Sequence, residues 1–184
     1  SKSISLGTGE MGRYVKGALD EVRIWNIART EQEIKDSMNA VLTGREDGLA
    51  AYYRFDQASG TQVRDYASSS LDGTRMNGPL RILSTADISV PDPVLTTPDP
   101  PGNALDFDRM EGYVITGLDD LSGPELTIEY WFKGSDLKSV VRQGISGYVI
   151  SGINGEHVLK NDDGTYDGVS VGVAATDGNW HHVA

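Results

Sequence analysis

The amino-acid sequence predicts an all-β protein, built as a β-sandwich with one short helix. Short segments rich in Val, Ile, Tyr, Phe and Trp recur along the 184 residues, and 22 glycines separate them without a fixed interval. Several segments alternate apolar and polar residues, which is the period of a half-buried strand. Only one segment carries a helix start signal with helical spacing behind it. Many short strands and a single helix are typical of two packed sheets.

The clearest strand pattern covers residues 18–26. Val22 and Ile24 lie on one face of the predicted strand, and Glu21 and Arg23 lie on the opposite face. We therefore expect a half-buried strand, with its charged side chains directed away from the core.

A helix is predicted over residues 31–40. Thr30 followed by Glu33 forms a capping box, in which each side chain satisfies a backbone N–H group at the helix start. Apolar residues then follow at spacings of four and three, namely Ile34, Met38 and Val41. This single apolar stripe is enough to lie against a sheet but too narrow for a helical bundle.

The two most aromatic segments, 49–55 and 126–132, are predicted to be strands. In the second segment, one face carries Leu126, Ile128, Tyr130 and Phe132, and the other carries Thr127, Glu129 and Trp131. Further strands are predicted at 4–6, 12–16, 61–65, 104–108, 112–116, 147–152, 168–174 and 180–184.

A proline-rich segment divides the chain. Five of the seven prolines fall between residues 91 and 101, where they exclude a helix or a central strand. We interpret 79–103 as a linker or as a connection along a sheet edge. The flanking parts, 1–78 and 104–184, are each too small to close a sandwich comfortably alone.

Composition excludes several classes of function. The net charge of −11 and the pI near 4.6 disfavour binding to a phosphate backbone. The absence of cysteine excludes disulfides, thiolate nucleophiles and thiolate metal sites. For the first of these reasons we expect no nucleic-acid partner. We also expect no membrane span, because no apolar run approaches the roughly 18 residues that a membrane helix needs.

Three parts of the chain carry motifs in a specific order. These are GALDEVRIWNIARTEQEIKDSMN at 17–39, GLAAYYRFDQASGTQVRDYASSSLDGT at 48–74, and the set GNALDFDRMEGYVITG at 102–117, ELTIEYWFKG at 125–134 and DGNWHHVA at 177–184. Together they resemble the laminin G-like, concanavalin A-like jelly-roll modules found in tandem on large bacterial surface and secreted proteins. The first two parts resemble the end of one module, including its cap helix, and the third resembles the opening half of the next.

The resemblance implies an unusual order. In that family a central hairpin of roughly 20–30 residues separates the motif at 177–184 from the one at 17–39. Three explanations are open: a fragment of a repeat array, a permuted domain whose halves pair, or a piece completed by strands of another chain. We favour the fragment, in which 104–184 and 1–45 are complementary halves of one sandwich type.

A structural calcium ion is the cofactor that the resemblance implies. In related jelly rolls an aspartate of the closing strand and groups of the opening strand hold such an ion. Carried over to this sequence, Asp20 with Asp106 or Asp108 is the candidate set. Asp106 and Asp108 share a strand face about 7 Å apart, and hard oxygen ligands suit calcium. The alternative is that these carboxylates are solvated charges at a sheet edge.

Aromatic side chains supply the candidate ligand-binding residues. Trp131 shares a predicted polar face with Thr127 and Glu129, and Tyr148 and Tyr166 lie near predicted loops. Exposed aromatic rings in these places could stack on sugars. Most aromatic residues of a sandwich belong to its core, and that is the competing interpretation.

No motif predicts an enzyme. Glu125 and Glu129 share a face but stand about 13 Å apart, which is beyond the spacing that glycoside hydrolysis needs. His181 and His182 are adjacent on a strand, so their rings point to opposite faces and do not share one metal; we expect one beside Trp180 and the other exposed. The segment NDDGTYDG at 161–168 lacks EF-hand spacing and is predicted to be a hairpin.

These features favour a non-catalytic extracellular module that binds a glycan or a protein, in a multi-module surface protein. An alternative is a structural repeat or subunit of a cell-surface assembly or filament, completed by neighbouring modules or identical chains. A glycoside hydrolase remnant is a third possibility, but its carboxylate motif is missing.

Overall fold

The computed structural model describes residues 3–8, 14–67, 71–88, 102–107, 111–119, 124–136, 140–143, 149–153, 156–160, 166–171 and 176–184. The strands are β1 Ile4–Leu6, β2 Lys16–Trp25, β3 Leu49–Tyr53, β4 Gln62–Val63, β5 Gly73–Met76, β6 Leu80–Leu83, β7 Asn103–Asp106, β8 Tyr113–Ile115, β9 Thr127–Asp136, β10 Val141–Gln143, β11 Val149–Ile153, β12 Glu156–Lys160, β13 Tyr166–Val171 and β14 His181–Val183. One helix, α1 Glu31–Ser37, follows β2.

The strands form two antiparallel sheets, which confirms the all-β sandwich. One sheet has eight strands in the order β13-β12-β11-β10-β1-β8-β5-β4, and the other has the order β14-β9-β2-β7-β6 with β3 also paired to β2. Side chains from both sheets meet in one core, which includes Leu6 and Val114 from the first and Leu19, Tyr130 and Phe132 from the second. Burial of these apolar faces is the main stabilising contribution to the fold.

Strands from the two ends of the chain alternate within both sheets. β1 lies between β10 and β8, and β2 lies between β9 and β7. The parts predicted as complementary halves therefore pair with each other inside this chain. The segment 79–103, predicted as a linker, also contains β6, which pairs with β7 at the edge of the smaller sheet.

The helix begins where the sequence predicts but ends earlier. Thr30 accepts a hydrogen bond from Glu33 N, and Glu33 accepts one from Thr30 N at 2.7 Å, so the capping box is confirmed. The helix ends at Ser37 rather than at residue 40, and none of its residues is buried. It spans only seven residues, and no helix in the described ranges is long and apolar enough to cross a membrane.

β2 is buried on both faces, so the prediction of a half-buried strand was wrong. Glu21 and Arg23 are 3% and 0% exposed. The physical reason is that the chain following β2 folds back over this face of the sheet: Arg23 donates hydrogen bonds to the carbonyls of Ser37 and Ala40.

Candidate functional site

A small cleft opens where β2 changes its neighbour. Residues 18 and 19 of β2 pair with β7, whereas residues 22–25 pair with β3. Asp20 and Glu21 lie between these two pairings, and Glu21 has a φ of 50°, in the left-handed region. The interruption turns polar groups toward the gap, as β-bulges commonly do.

The Asp20 cleft has a volume of about 190 Å³ and a polar lining. Its walls are Asp20, Glu21, Val41, Arg54, Asp56, Ser84, Ala86, Ile88 and Gly102. These residues come from β2, from the chain after α1, from the residues that follow β3, and from the segments that follow β6 and precede β7. The volume is below the 300–1,000 Å³ of typical small-molecule pockets, so it suits an ion or a single functional group.

Three carboxylates line the cleft, and two of them have cationic partners. Arg54 lies 2.7 Å from Asp56 and 3.6 Å from Glu21. Arg23 lies 3.0 Å from Glu21 on the other side. Tyr52 donates a hydrogen bond from its hydroxyl to Glu21. The negative charges of Glu21 and Asp56 are therefore largely compensated.

Asp20 is the uncompensated carboxylate of the cleft. It is 2% exposed, and it accepts hydrogen bonds from Glu21 N, at 2.8 Å, and from the side chain of Ser84. Within the described ranges no Arg, Lys or His forms an ion pair with it. Burial, followed by the charges of Glu21 and Asp56, raises the pKa of Asp20 well above its usual value. The alternative of a solvated edge charge was therefore wrong for Asp20.

The other predicted calcium ligands have different outcomes. Asp106 lies in β7, opposite Ala18 of β2, and is not part of the cleft wall. Asp108 lies outside the described residues. Among the described residues, no three His, Asp or Glu side chains are arranged to hold a metal ion together. The calcium site stays a prediction.

Asp56, Ser84 and Gly102 complete the cleft, although no pattern in the sequence points to them. Asn103 N donates to Asp56 Oδ1 at 3.1 Å, and Asn103 Nδ2 donates to the Asp56 carbonyl at 3.2 Å, so the end of β3 is tied to the start of β7. Spacing along the chain gives no signal for this contact, because 47 residues separate the two partners.

Of the three predicted ligand-binding residues, only the side chain of Trp131 belongs to the described part of the structure. Trp131 is 7% exposed; its Nε1 donates to the Met38 carbonyl at 3.0 Å, and its ring meets that of His182 edge-on at 5.4 Å. The chain after α1 thus covers the predicted stacking face. Tyr148 and the side chain of Tyr166 lie outside the described residues, although the backbone of Tyr166 begins β13.

A second polar cluster lies under the chain that follows β2, and Glu129 is at its centre. Glu129 is fully buried and accepts from Trp25 Nε1 and from Arg29, both at 2.6 Å. Arg23 and His182 lie 3.6 and 3.2 Å from its other oxygen. Burial acts to raise the pKa of Glu129, but His182 and the two arginines outweigh it and the pKa is lowered.

The histidines differ from the expectation for them. His182 packs on Trp131 beside Glu129, and His181 lies 2.8 Å from Asp177. Neither ring packs on Trp180 in the described contacts; Trp180 donates instead to the Thr85 hydroxyl at 3.1 Å. Their opposite orientation agrees with the alternation of a strand.

Comparison with known proteins gives no relative: no protein-family model, no curated protein and no solved structure matches this chain.

Proposed function

We propose that this chain is a non-catalytic binding or adhesion module of an extracellular, multi-module surface protein, with a laminin G-like jelly-roll fold. The observation that carries the proposal is the Asp20 cleft, where a buried carboxylate has no cationic partner among the residues that the structure describes. Such a carboxylate favours a bound cation, because an unpaired charge is costly to bury. The β-sandwich architecture supports the proposed family. The binding function comes from the resemblance of the ordered sequence motifs to laminin G-like modules.

Calcium is the cation that the donor set fits best. Asp20 and Asp56 offer carboxylate oxygens, and Ser84 offers a hydroxyl, all of them hard ligands. A bound ion would supply positive charge and tie the middle of β2 to the segments that follow β3 and β6. Its proposed role is to stiffen the ligand-binding loops.

The non-catalytic assignment is supported by the surroundings of Glu129. A glycosidase would need a carboxylate that meets its substrate. Glu129 is enclosed by Trp25, Arg29, Arg23 and His182, and its lowered pKa opposes a role as general acid.

The test combines calcium binding with a glycan array. We expect calcium to raise the melting temperature of the protein and to increase retention on at least one glycan. Asp20→Asn should abolish the calcium effect, whereas Asp47→Asn, at an exposed position, should leave it intact. A silent array in the presence of calcium, together with a defined oligomer, would overturn the binding function.

A structural repeat or assembly subunit is the second candidate. The observation that favours it is the apolar edge strand β6, where Leu80 and Leu83 are 45% and 74% exposed. Exposed edge strands readily pair with other chains. Light scattering after size-exclusion chromatography should then show oligomers that Leu83→Lys dissociates; a monomer at all concentrations would contradict this candidate.

A further inference from the structure

Two arginines, Arg75 and Arg81, meet at the side of the sandwich, and neither belongs to the wall of the Asp20 cleft. Arg75 lies in β5 opposite Val114, and Arg81 lies in β6 opposite Leu105. Val114 and Leu105 are both core residues, so each arginine side chain starts from the inner face of its own sheet. The two side chains therefore converge between the sheets.

The guanidinium groups share one acceptor at the surface. Arg75 Nη2 and Arg81 Nη1 donate to the Gly60 carbonyl at 2.9 and 2.8 Å. Arg75 also donates to the Pro79 carbonyl at 2.9 Å, and Arg81 to the Gln62 carbonyl at 3.3 Å. Each terminal nitrogen thus keeps one N–H group beyond these contacts.

No carboxylate balances this pair within the described part of the chain. Arg23, Arg29 and Arg54 all have acidic partners, but the contacts of Arg75 and Arg81 are to carbonyls. This is unexpected in a chain with 27 acidic and 16 basic residues. Burial and the neighbouring charge of Arg75 lower the pKa of Arg81, as expected where like charges lack a counter-ion.

The site is accessible from outside. Gly60 is exposed, and a Cβ atom built on it would meet no atom within 4 Å. The Nε atoms of both arginines are buried and lack partners, whereas both residues are partly exposed and their hydrogen bonds to the Gly60 carbonyl lie at the surface. Two planar donor forks beside open space match the geometry of an oxyanion.

We propose that Arg75 and Arg81 form an anion-binding site that takes the carboxylate or sulfate group of an acidic sugar. The neighbouring exposed residues Thr61, Gln62 and Asn77 are uncharged and polar, which suits sugar hydroxyls. With a net charge of −11, the protein repels an acidic peptide that carries several carboxylates more strongly than it repels a ligand with one negative group. The choice of a sugar rests on the proposed function; the oxyanion site itself does not.

The experiment is calorimetric titration with sodium glucuronate, glucose 6-sulfate, neutral glucose and a triglutamate peptide, at matched ionic strength. We expect the two acidic sugars to bind and glucose not to bind. Arg75→Gln with Arg81→Gln should weaken binding by about tenfold or more. Arg45→Gln removes the same charge from an exposed position and should leave the affinity unchanged.

A second measurement needs no variant, so it tests the proposal even if the arginine variants do not fold. In the wild-type protein, NMR signals of the Gly60 amide and of the two arginine side chains should shift on titration with glucuronate. Shifts elsewhere, no shifts, or binding of the peptide alone would overturn the proposal. All titrations are run in chelator, so their outcome does not depend on the calcium proposal, and an absence of binding at Arg75 and Arg81 counts against this proposal alone.

Discussion

At the scale of single residues, Glu129 shows how a buried charge is made tolerable. Its carboxylate has no exposed surface, and it faces Trp25, Arg29, Arg23 and His182. Arg29 also lies over the Trp25 ring at 4.1 Å. Buried ion pairs of this kind often add little net stability to the fold. Removing one partner is nevertheless costly, because it leaves the remaining buried charges uncompensated.

Glu129→Gln should therefore destabilise the protein by about 3–5 kcal/mol at neutral pH. The lowered pKa of Glu129 means that its contribution is present above pH 4.5 and is lost as the pH falls through the folded-state pKa. Urea denaturation between pH 3 and pH 7 measures both effects. Glu125→Gln, at an exposed position, should change stability by less than about 0.5 kcal/mol. Equal losses for the two variants would contradict the network.

Asp20 carries the opposite prediction, because its pKa is raised. Its ionised form is disfavoured in the fold, so the contribution of this group to stability is greatest below pH 3.8 and is lost as the pH rises through the folded-state pKa. Without calcium, Asp20→Asn should stabilise the protein at pH 7 by about 1–3 kcal/mol. The gain should shrink toward pH 4. Thermal denaturation in chelator across this range tests the sign, and a destabilised variant at pH 7 would contradict it.

At the scale of elements, α1 is held by polar contacts instead of an apolar stripe. None of its residues is buried, and Ile34 and Met38 are only half-buried. Arg23 binds the carbonyls of Ser37 and Ala40, and Arg29 binds that of Glu33 at 2.8 Å. Cationic groups at a helix C-terminus donate hydrogen bonds to its unpaired carbonyls and interact favourably with the negative end of the helix dipole.

Because packing contributes little, the N-terminal cap should matter for this helix. We expect Thr30→Ala to reduce stability by about 1 kcal/mol, since it leaves Glu33 N without its acceptor. Thr30→Ser keeps the hydroxyl and should retain most of the stability. Chemical denaturation compares the three proteins, and identical behaviour of the Ala and Ser variants would show that the cap contributes nothing.

At the scale of the whole molecule, the two sheets share strands from both ends of the chain. β2 has β9 along one edge and β7 and β3 along the other, and β1 lies between β10 and β8. Removing either end from its place would interrupt both sheets and the common core.

We therefore expect one cooperative unfolding transition. Far-UV circular dichroism and tryptophan fluorescence should give the same urea midpoint, because Trp25 and Trp131 lie on strands that unite the two parts of the chain. Two separate transitions would mean that 1–78 and 104–184 are independent units.

The sequence by itself determined the elements whose signals are local. Alternation predicted β9 and its two faces, and the capping box located the start of α1. The predicted strands at 4–6, 104–108 and 112–116 correspond to β1, β7 and β8. The predictions of β9, α1, β1, β7 and β8 succeed because strand alternation and helix capping depend on neighbours within a few residues. Asp20 was singled out by the family resemblance and not by such a local pattern, and its role as a calcium ligand stays a prediction.

Only the tertiary structure decided what covers each face. Alternation assigned Glu21, Arg23 and Glu129 to a polar face, but it did not show that the chain after β2 encloses them. It also did not place Asp56 and Ser84 beside Asp20, or join Arg75 to Arg81 at the Gly60 carbonyl. The physical reason is that burial and charge pairing arise between segments far apart in sequence, where periodicity carries no information.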